Sequence, residues 1–291
     1  MSAHSPEPAL AVFDAERDRL VTLAYRMTGS MADAEDVVQD AYLRWVDQPR
    51  AGVANPAAYL TTVVSRLAID RLRSASRRRE QYVGPWLPEP IERSAGPDDD
   101  VLMAESLTVG FLAVLERLGP VERAVFLLHD VFAMPFAQVS DVVDRSETTC
   151  RQIAHRARTR VAADRMRYEP SGAERERLLE AFLTAALDGD LATLASLLAD
   201  DVVWVSDGGP DRRAARHPIV GPDRVARLVI NLTARAPEGV VVRTTELNGE
   251  PAAVVSVEGA PFLALAARIV GAEIVGMWAV VNPDKLHHLD P

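Results

Sequence analysis

The spacing of apolar residues changes once along this chain, and that change limits what it can fold into. Up to residue 167 apolar positions recur every three or four residues, the period of helices packed on one face. Beyond residue 172 two short helical patterns give way to alternating runs separated by turn residues. One chain therefore holds helical modules followed by an α+β module. A length of 291 residues allows two domains or three small ones. Hydrophobic residues at 48% and charged residues at 25% exclude long disorder and a coiled-coil rod. The single cysteine excludes an internal disulfide framework and a multi-cysteine zinc site, and it fits a reducing cytoplasm. The N-terminus has no basic segment leading into an apolar core. Arg268 and Glu273 interrupt the most apolar stretch, Pro261 to Val281, so no run approaches the ~20 residues of a membrane span. A cytoplasmic protein without a membrane partner is expected.

Two breaks divide the chain. Residues 80–100 are rich in proline and glycine and end in three aspartates, the composition of a linker. Residues 168–173 form a shorter break. Beyond it, helices are predicted over Ala173–Leu187, Leu191–Leu198 and Asp223–Ala234. Strands are predicted over Asp201–Val205, Gly239–Leu247, Ala252–Val257, Phe262–Val270 and Glu273–Val281, with Asn248-Gly249 as a hairpin turn.

A net charge of −10 argues against a nucleic-acid partner until its distribution is read. Arg66, Arg71, Arg73 and the Arg77–Arg79 triplet stand against Asp70 alone, and seven arginines between 145 and 167 stand against Glu147 and Asp164. Local basic stripes suffice for groove binding, because only the contacting face has to neutralise phosphate.

Residues 33–47 form an amphipathic helix whose Val38, Ala41, Tyr42 and Trp45 share one face. Asp36, Asp40 and Asp47 lie opposite, with Leu43 among them. Two readings fit: a solvated surface with a stray leucine, or a docking ridge in which acids steer a basic partner onto an apolar contact. Asn55-Pro56 begins the next helix, with proline at its favoured first position. Leu60, Val63, Val64, Leu67, Ala68 and Leu72 bury one side and leave Arg66, Arg71 and Arg73 on the other. That face is either a solvated arginine surface or one that follows phosphates. Tyr59, Thr61 and Thr62 are placed to stack on or hydrogen-bond unpaired bases.

Residues 116–161 carry a helix-turn-helix pattern. Helices are predicted over Val121–His129 and Phe136–Val143, with a turn at Asp144-Arg145 and a last helix capped by Ser146 alone. Cys150, Ile153, Ala154, Ala157 and Val161 pack inward on Val139, Val142 and Val143. The opposite face presents Thr148, Arg151, Gln152, His155, Arg156 and Thr159, donors and acceptors suited to base edges in a major groove. A purely structural three-helix unit is the other reading. Cys150 is expected as a core residue and His155 as a phosphate contact. No metal or cofactor is expected.

With these motifs placed, the chain resembles the extracytoplasmic-function (ECF) group of bacterial sigma factors. DAEDVVQDAYLRW and SRLAIDRLR carry the first conserved domain, and LERLGPVERAVFLLHD and TTCRQIAHRARTRV carry the second. YVGPWLPEP (Tyr82–Pro90) and NPDKL (Asn282–Leu286) look like the subgroup with a C-terminal SnoaL-like domain of the NTF2 type. One departure is that Asp207-Gly208-Gly209 continues with Pro210-Asp211-Arg212, where the subgroup usually has glycine and lysine. The resemblance implies two all-α sigma domains at 8–80 and 105–167, a linker at 81–104, and an α+β cone at 172–291. It implies that Asp36, Gln39, Asp40 and Leu43 meet the β′ clamp of core RNA polymerase, whose β flap is a second partner. Asn55, Tyr59, Arg66, Arg71 and Arg73 would hold the −10 promoter element. Thr148, Arg151, Gln152, His155 and Arg156 would read the −35 element. Such a protein is not an enzyme but lends one its promoter specificity.

The C-terminal domain is expected to regulate the other two through Trp86 and Pro88 of the linker, Asp207, Gly208 and Gly209, and the tail residues Asn282, Pro283, Asp284 and Lys285. Trp204, Asp207, His217, Arg268 and Trp278 are candidates to line a pocket for a small apolar ligand. An Asp/His pair there would give acid/base chemistry. The competing reading of the whole chain is a ligand-sensing helix-turn-helix regulator that binds DNA without polymerase, which leaves the acidic helix without a role. A third is a SnoaL-like enzyme with a helical appendage.

Overall fold

The computed structural model describes residues 7–47, 53, 55–79, 82–92, 108–162 and 172–290. They divide into two compact units: residues 1–80 with 115–163, and residues 81–114 with 164–291.

The first unit opens with helices α1 (Glu7–Thr28), α2 (Met31–Asp47) and α3 (Pro56–Arg79). Gly29, at φ +70°, ends α1 in the left-handed region, and the Ser30 hydroxyl then caps α2 by accepting from the Asp33 amide at 3.2 Å. Asn55 caps α3 in the same way, through Ala58 at 3.0 Å. Leu20, Leu23, Ala24 and Met27 of α1 are fully buried, with Val38, Ala41 and Trp45 of α2 and Leu60, Val64 and Ala68 of α3. Val63 and Leu67, expected inside, are only half-buried, while Ile69 is buried.

The second helical group of this unit starts with α5 (Pro120–Phe126), which runs on into a π turn at Leu127–Val131. Helices α6 (Phe136–Val143) and α7 (Glu147–Ala162) complete the helix-turn-helix. Asp144 takes φ 54° at the turn, and Ser146 caps α7 by accepting from the Thr149 amide at 3.2 Å. Cys150, Ile153, Ala154, Ala157 and Val161 are buried, as are Val139, Val142 and Val143. Burial pushes the Cys150 thiol above its ordinary pKa, as befits a core residue. Arginine contacts join the helical groups within the unit. The fully buried Arg123 donates to the Arg26 carbonyl at 2.9 and 3.1 Å while pairing with Glu116. Arg66 donates to the Asp141 carbonyl at 2.6 Å. These arginines engage carbonyls at the ends of α1 and α6, where the last turn of a helix leaves acceptors unpaired.

The second unit is built on a six-stranded sheet in the order β2-β1-β6-β5-β4-β3. Its strands are β1 (Leu198–Asp207), β2 (Ile219–Val220), β3 (Val240–Leu247), β4 (Glu250–Val257), β5 (Ala260–Val270) and β6 (Glu273–Val280). The pairing of β1 with β6 is parallel and the others are antiparallel. Asn248 (φ 54°) and Gly249 (φ 77°) make the expected two-residue turn between β3 and β4. Glu258 (φ 52°) and Gly259 (φ 75°) make a second one, between β4 and β5.

Alternation gives the sheet two covered faces. Leu265 and Ala267 of β5 join Met277 of β6 in one core with helices α8 (Gly172–Asp188), α9 (Leu191–Ser196) and α10 (Pro222–Thr233). Ala264 and Ala266 of β5 join Val280 in the other, with Leu87, Val109, Leu286 and Leu289. The described part of the expected linker, 82–92, is thus a packed element of this unit, with residues 87–91 buried. Prolines 85, 88 and 90 preset its extended backbone, so ordering it costs less entropy than ordering an ordinary chain. The rest of that linker, most of the 168–173 break and the side chains of Arg77–Arg79 lie outside the described residues.

The aromatic pocket expected in this unit is not assembled. Trp204 belongs to the helix-covered core. Trp278 packs on the opposite core, against Gly110 and Gly276, where an added Cβ would come within 2.7 and 2.8 Å of its ring. His217 is exposed.

Helix α4 (Val109–Leu115) begins beside the fully buried Glu250. Burial pushes the Glu250 carboxyl up from its ordinary 4.5 to about 7, against the opposing pull of Arg268 and of the Gly110 and Val109 amides. A carboxyl with a raised folded-state pKa holds its proton more tightly when folded. Its stabilising contribution is therefore whole below about pH 4.5 and is lost as pH rises through about 7. Urea unfolding between about pH 5 and about pH 8 should lose up to about 3 kcal/mol more in the native chain than in Glu250→Gln.

Candidate functional site

Four exposed side chains form a ridge on α2: Asp36, Gln39, Asp40 and Leu43. Leu43 is 55% exposed, although Ala41 and Trp45 on the other side of the helix are buried. An apolar side chain held out between carboxylates is what a partner with a basic rim and an apolar centre can cover. The ridge is partly braced from behind, because Arg71 of α3 reaches Asp33 at 2.7 Å and Asp36 at 2.8 Å. The Asp33 bond comes first among the causes that raise the Arg71 pKa.

The basic face of α3 is exposed but engaged. Besides Arg71, Arg66 holds the Asp141 carbonyl and Arg73 pairs with Asp70 at 3.1 Å. Asn55 is exposed and serves as a helix cap. Tyr59 is half-buried, with its ring 5.8 Å from that of Trp45. Thr61, expected near bases, is buried and bonds Arg19 at 2.7 Å.

The outward face of α7 is as its spacing predicts. Thr148, Arg151, Gln152, His155 and Arg156 are all exposed. Arg151 pairs with Glu147 at 2.6 Å, one turn away, and its guanidinium lies 5.3 Å from the centre of the Phe136 ring. An exposed pair of this kind is worth well under ~1 kcal/mol and yields readily to a base edge or a phosphate.

The second unit holds a buried polar site. Asp207, at the end of β1, is fully buried and its carboxylate accepts four hydrogen bonds. Oδ1 takes the Tyr82 hydroxyl and the Gly209 amide at 3.0 Å. Oδ2 takes the Leu87 amide at 2.8 Å and Lys285 Nζ at 2.7 Å. Lys285 also donates to the Leu87 carbonyl, and its Nζ sits 3.8 Å from the centre of the Trp86 ring. Asn282 donates to the Tyr82 hydroxyl at 3.0 Å. Burial, then the bond to Asp207, raises the Tyr82 pKa. Gly209, at φ +62°, lies where an added Cβ would stand 2.6 Å from the Asn282 side chain, and one on Gly208 would stand 2.3 Å from the Arg212 carbonyl. The glycine pair thus lets the loop close against the tail. The departure at Pro210-Asp211-Arg212 leaves this cradle in place, and Arg212 turns outward onto the Phe262 ring at 4.3 Å.

The structure thus brings together Trp86, Asp207, Gly208, Gly209, Asn282 and Lys285, with Pro88 buried in the same docked segment. It does not pair Asp207 with His217, so no acid/base couple forms there. Tyr82 and the Leu87 backbone belong to the site although spacing did not single them out. The one available signal was their place inside the Tyr82–Pro90 motif.

An exposed polar helix behind a tight turn, with a second basic helical module in the same unit, defines a DNA-binding protein. A sigma-70 region 2 model matches residues 12–78 and a sigma-70 region 4 model matches residues 109–161. The ECF RNA polymerase sigma factor SigJ of Mycobacterium tuberculosis is 40% identical over 289 residues, which span 94% of this chain and 91% of SigJ. The probable ECF sigma factor SigI of that species is 35% identical over 292 residues, 99% of this chain and 98% of SigI. The crystal structure of M. tuberculosis SigJ superposes with a TM-score of 0.76 at 37% identity, covering 95% of this chain and 97% of that one. The chain belongs to the ECF family of RNA polymerase sigma factors. Among the described residues no helix is long and apolar enough to cross a membrane.

Removing one partner from the buried pair leaves an uncompensated charge. Lys285→Met should therefore lower the stability of the chain to urea by roughly 3 kcal/mol. It should also change the emission of Trp86, which loses its cation.

Proposed function

We propose that this chain binds core RNA polymerase in the cytoplasm through the α2 ridge and places it on promoters through α3 and α7. The single observation that carries the reading is the outward face of α7. Five side chains able to contact bases or phosphates stand exposed together, and the opposite side of the same helix is sealed. Arg151 pairs with guanine by two parallel bonds and Gln152 with adenine, while His155 and Arg156 hold phosphates of the −35 element. The ridge residues Asp36, Gln39, Asp40 and Leu43 meet the β′ clamp, and the α7 module approaches the β flap. Asn55, Tyr59, Arg66, Arg71 and Arg73 hold the −10 element, where a base taken out of the stack gives selectivity at a cost of a few kcal/mol.

Arg66 and Arg71 are already occupied by Asp141, Asp33 and Asp36. Promoter phosphates replace these partners, so the free chain has a resting arrangement that loading must undo. The C-terminal unit is regulatory. By holding residues 82–92 against Asp207 and Lys285 it controls the segment that joins the two sigma regions. A DNA-binding regulator working without polymerase gives the Leu43 ridge no purpose.

Run-off transcription with purified core polymerase tests the reading. Specific transcripts should require this chain, and specific DNA binding without polymerase as its sole activity would refute it. Asp40→Arg should weaken core polymerase association about tenfold or more without loss of fold, measured by fluorescence anisotropy. Arg151→Ala should cost about 1–3 kcal/mol on the preferred −35 sequence and relax its specificity at one base pair, measured on a panel of altered promoters.

A further inference from the structure

We propose that Glu89, His287 and His288 form a binding site for a divalent transition cation of the zinc class. This goes beyond promoter recognition and does not rest on it. One ligand atom from each of the three residues lies within 4.8 Å of those of the other two. The residues come from separate segments: Glu89 from the docked stretch 82–92, and the histidines from the tail that follows Lys285.

Ring chemistry selects the donor nitrogens. His287 Nδ1 lies 2.9 Å from the Asp284 carbonyl and His288 Nε2 lies 2.6 Å from the Pro90 carbonyl. A carbonyl only accepts, so each of these nitrogens carries a proton. In the neutral rings the lone pairs are then on His287 Nε2 and His288 Nδ1. An imidazole whose other N–H is anchored to a carbonyl is the arrangement found behind metal-ligating histidines.

The distances agree with that assignment. His288 Nδ1 lies 3.2 Å from Glu89 Oε1. Two ligand atoms bonded to zinc at ~2.0–2.1 Å in a tetrahedron stand about 3.3 Å apart. That edge is already set, and the exposed His287 ring, which offers a nitrogen within 4.8 Å of both other ligand atoms, supplies the third corner. Glu89 is 5% exposed, so its carboxylate sits largely out of water where a cation offsets the cost of burial. Two imidazoles and one carboxylate suit zinc, cobalt or iron better than magnesium or calcium, and they leave a fourth position for water. A bound cation would tie the docked segment to the tail, so occupancy and docking would reinforce one another.

The test uses the full chain stripped with chelator and titrated with zinc chloride by calorimetry. A parallel titration with cobalt chloride reads coordination from its visible spectrum. One zinc per chain at about 10 μM or tighter is expected, weakened at least tenfold in His287→Ala, whose exposed side chain can be lost without harm to the fold. Zinc should also slow amide exchange over residues 87–92 in the native chain. Two results would overturn the proposal. One is no saturable binding, which would leave His288 simply as a polar neighbour of Glu89. The other is binding that survives in the His287→Ala, His288→Ala double variant, which would place the cation elsewhere.

Discussion

A carboxylate at the end of β1 governs the second unit. Asp207 is sealed from water, a position an isolated charge can occupy only at great cost. Four donors, one of them an ammonium, offset that cost, and they come from three parts of the chain: residues 82–87, the loop at Gly209 and the tail at Lys285. None of these segments belongs to the sheet. Each is held against it because Asp207 requires it, and the apolar contacts of Leu87, Leu286 and Leu289 follow. The segment joining the two sigma regions is thus fastened by a polar core, whose strength depends on geometry far more than an apolar patch does.

The helical unit solves a related problem with arginine. Arg123 is buried, yet its guanidinium meets a backbone carbonyl of α1 and the Glu116 carboxylate, so one side chain joins the two helical groups. Arg66 makes a similar bond from an exposed position. The two differ in consequence. The buried contact is structural, and the exposed one is easily exchanged, because water or phosphate can take over its bonds at little cost. One residue type thus supplies both a permanent joint and a releasable one.

Much of this was legible in the residues. The period-3.6 pattern placed α6 at its observed bounds and set the buried and free faces of α7, because local spacing alone decides which side of a helix meets the core. Asn248-Gly249 marked its hairpin since few residue pairs accept two positive φ angles. What was illegible depended on distant partners. The proline-rich stretch has no hydrophobic period, and its docking rests on bonds such as Tyr82 to Asp207, 125 residues apart. Counting arginines on α3 could not show that Arg66 and Arg71 have partners on other helices. Trp204 and Trp278 were grouped by chemistry, but strand alternation sent them to opposite faces of one sheet. The strand at Ile219–Val220 is too short for any alternation to register.

The chain has a single lysine, and it is the one beneath Trp86. Histidines apart, its other basic side chains are therefore guanidinium groups, which stay ionised at any pH a cell can reach. Acylating enzymes that tune other nucleic-acid binders by silencing lysine ammonium groups find here a single lysine, its Nζ held against the Trp86 indole. Control of this molecule's grip on phosphate is thus left to changes of shape and to the salt around it.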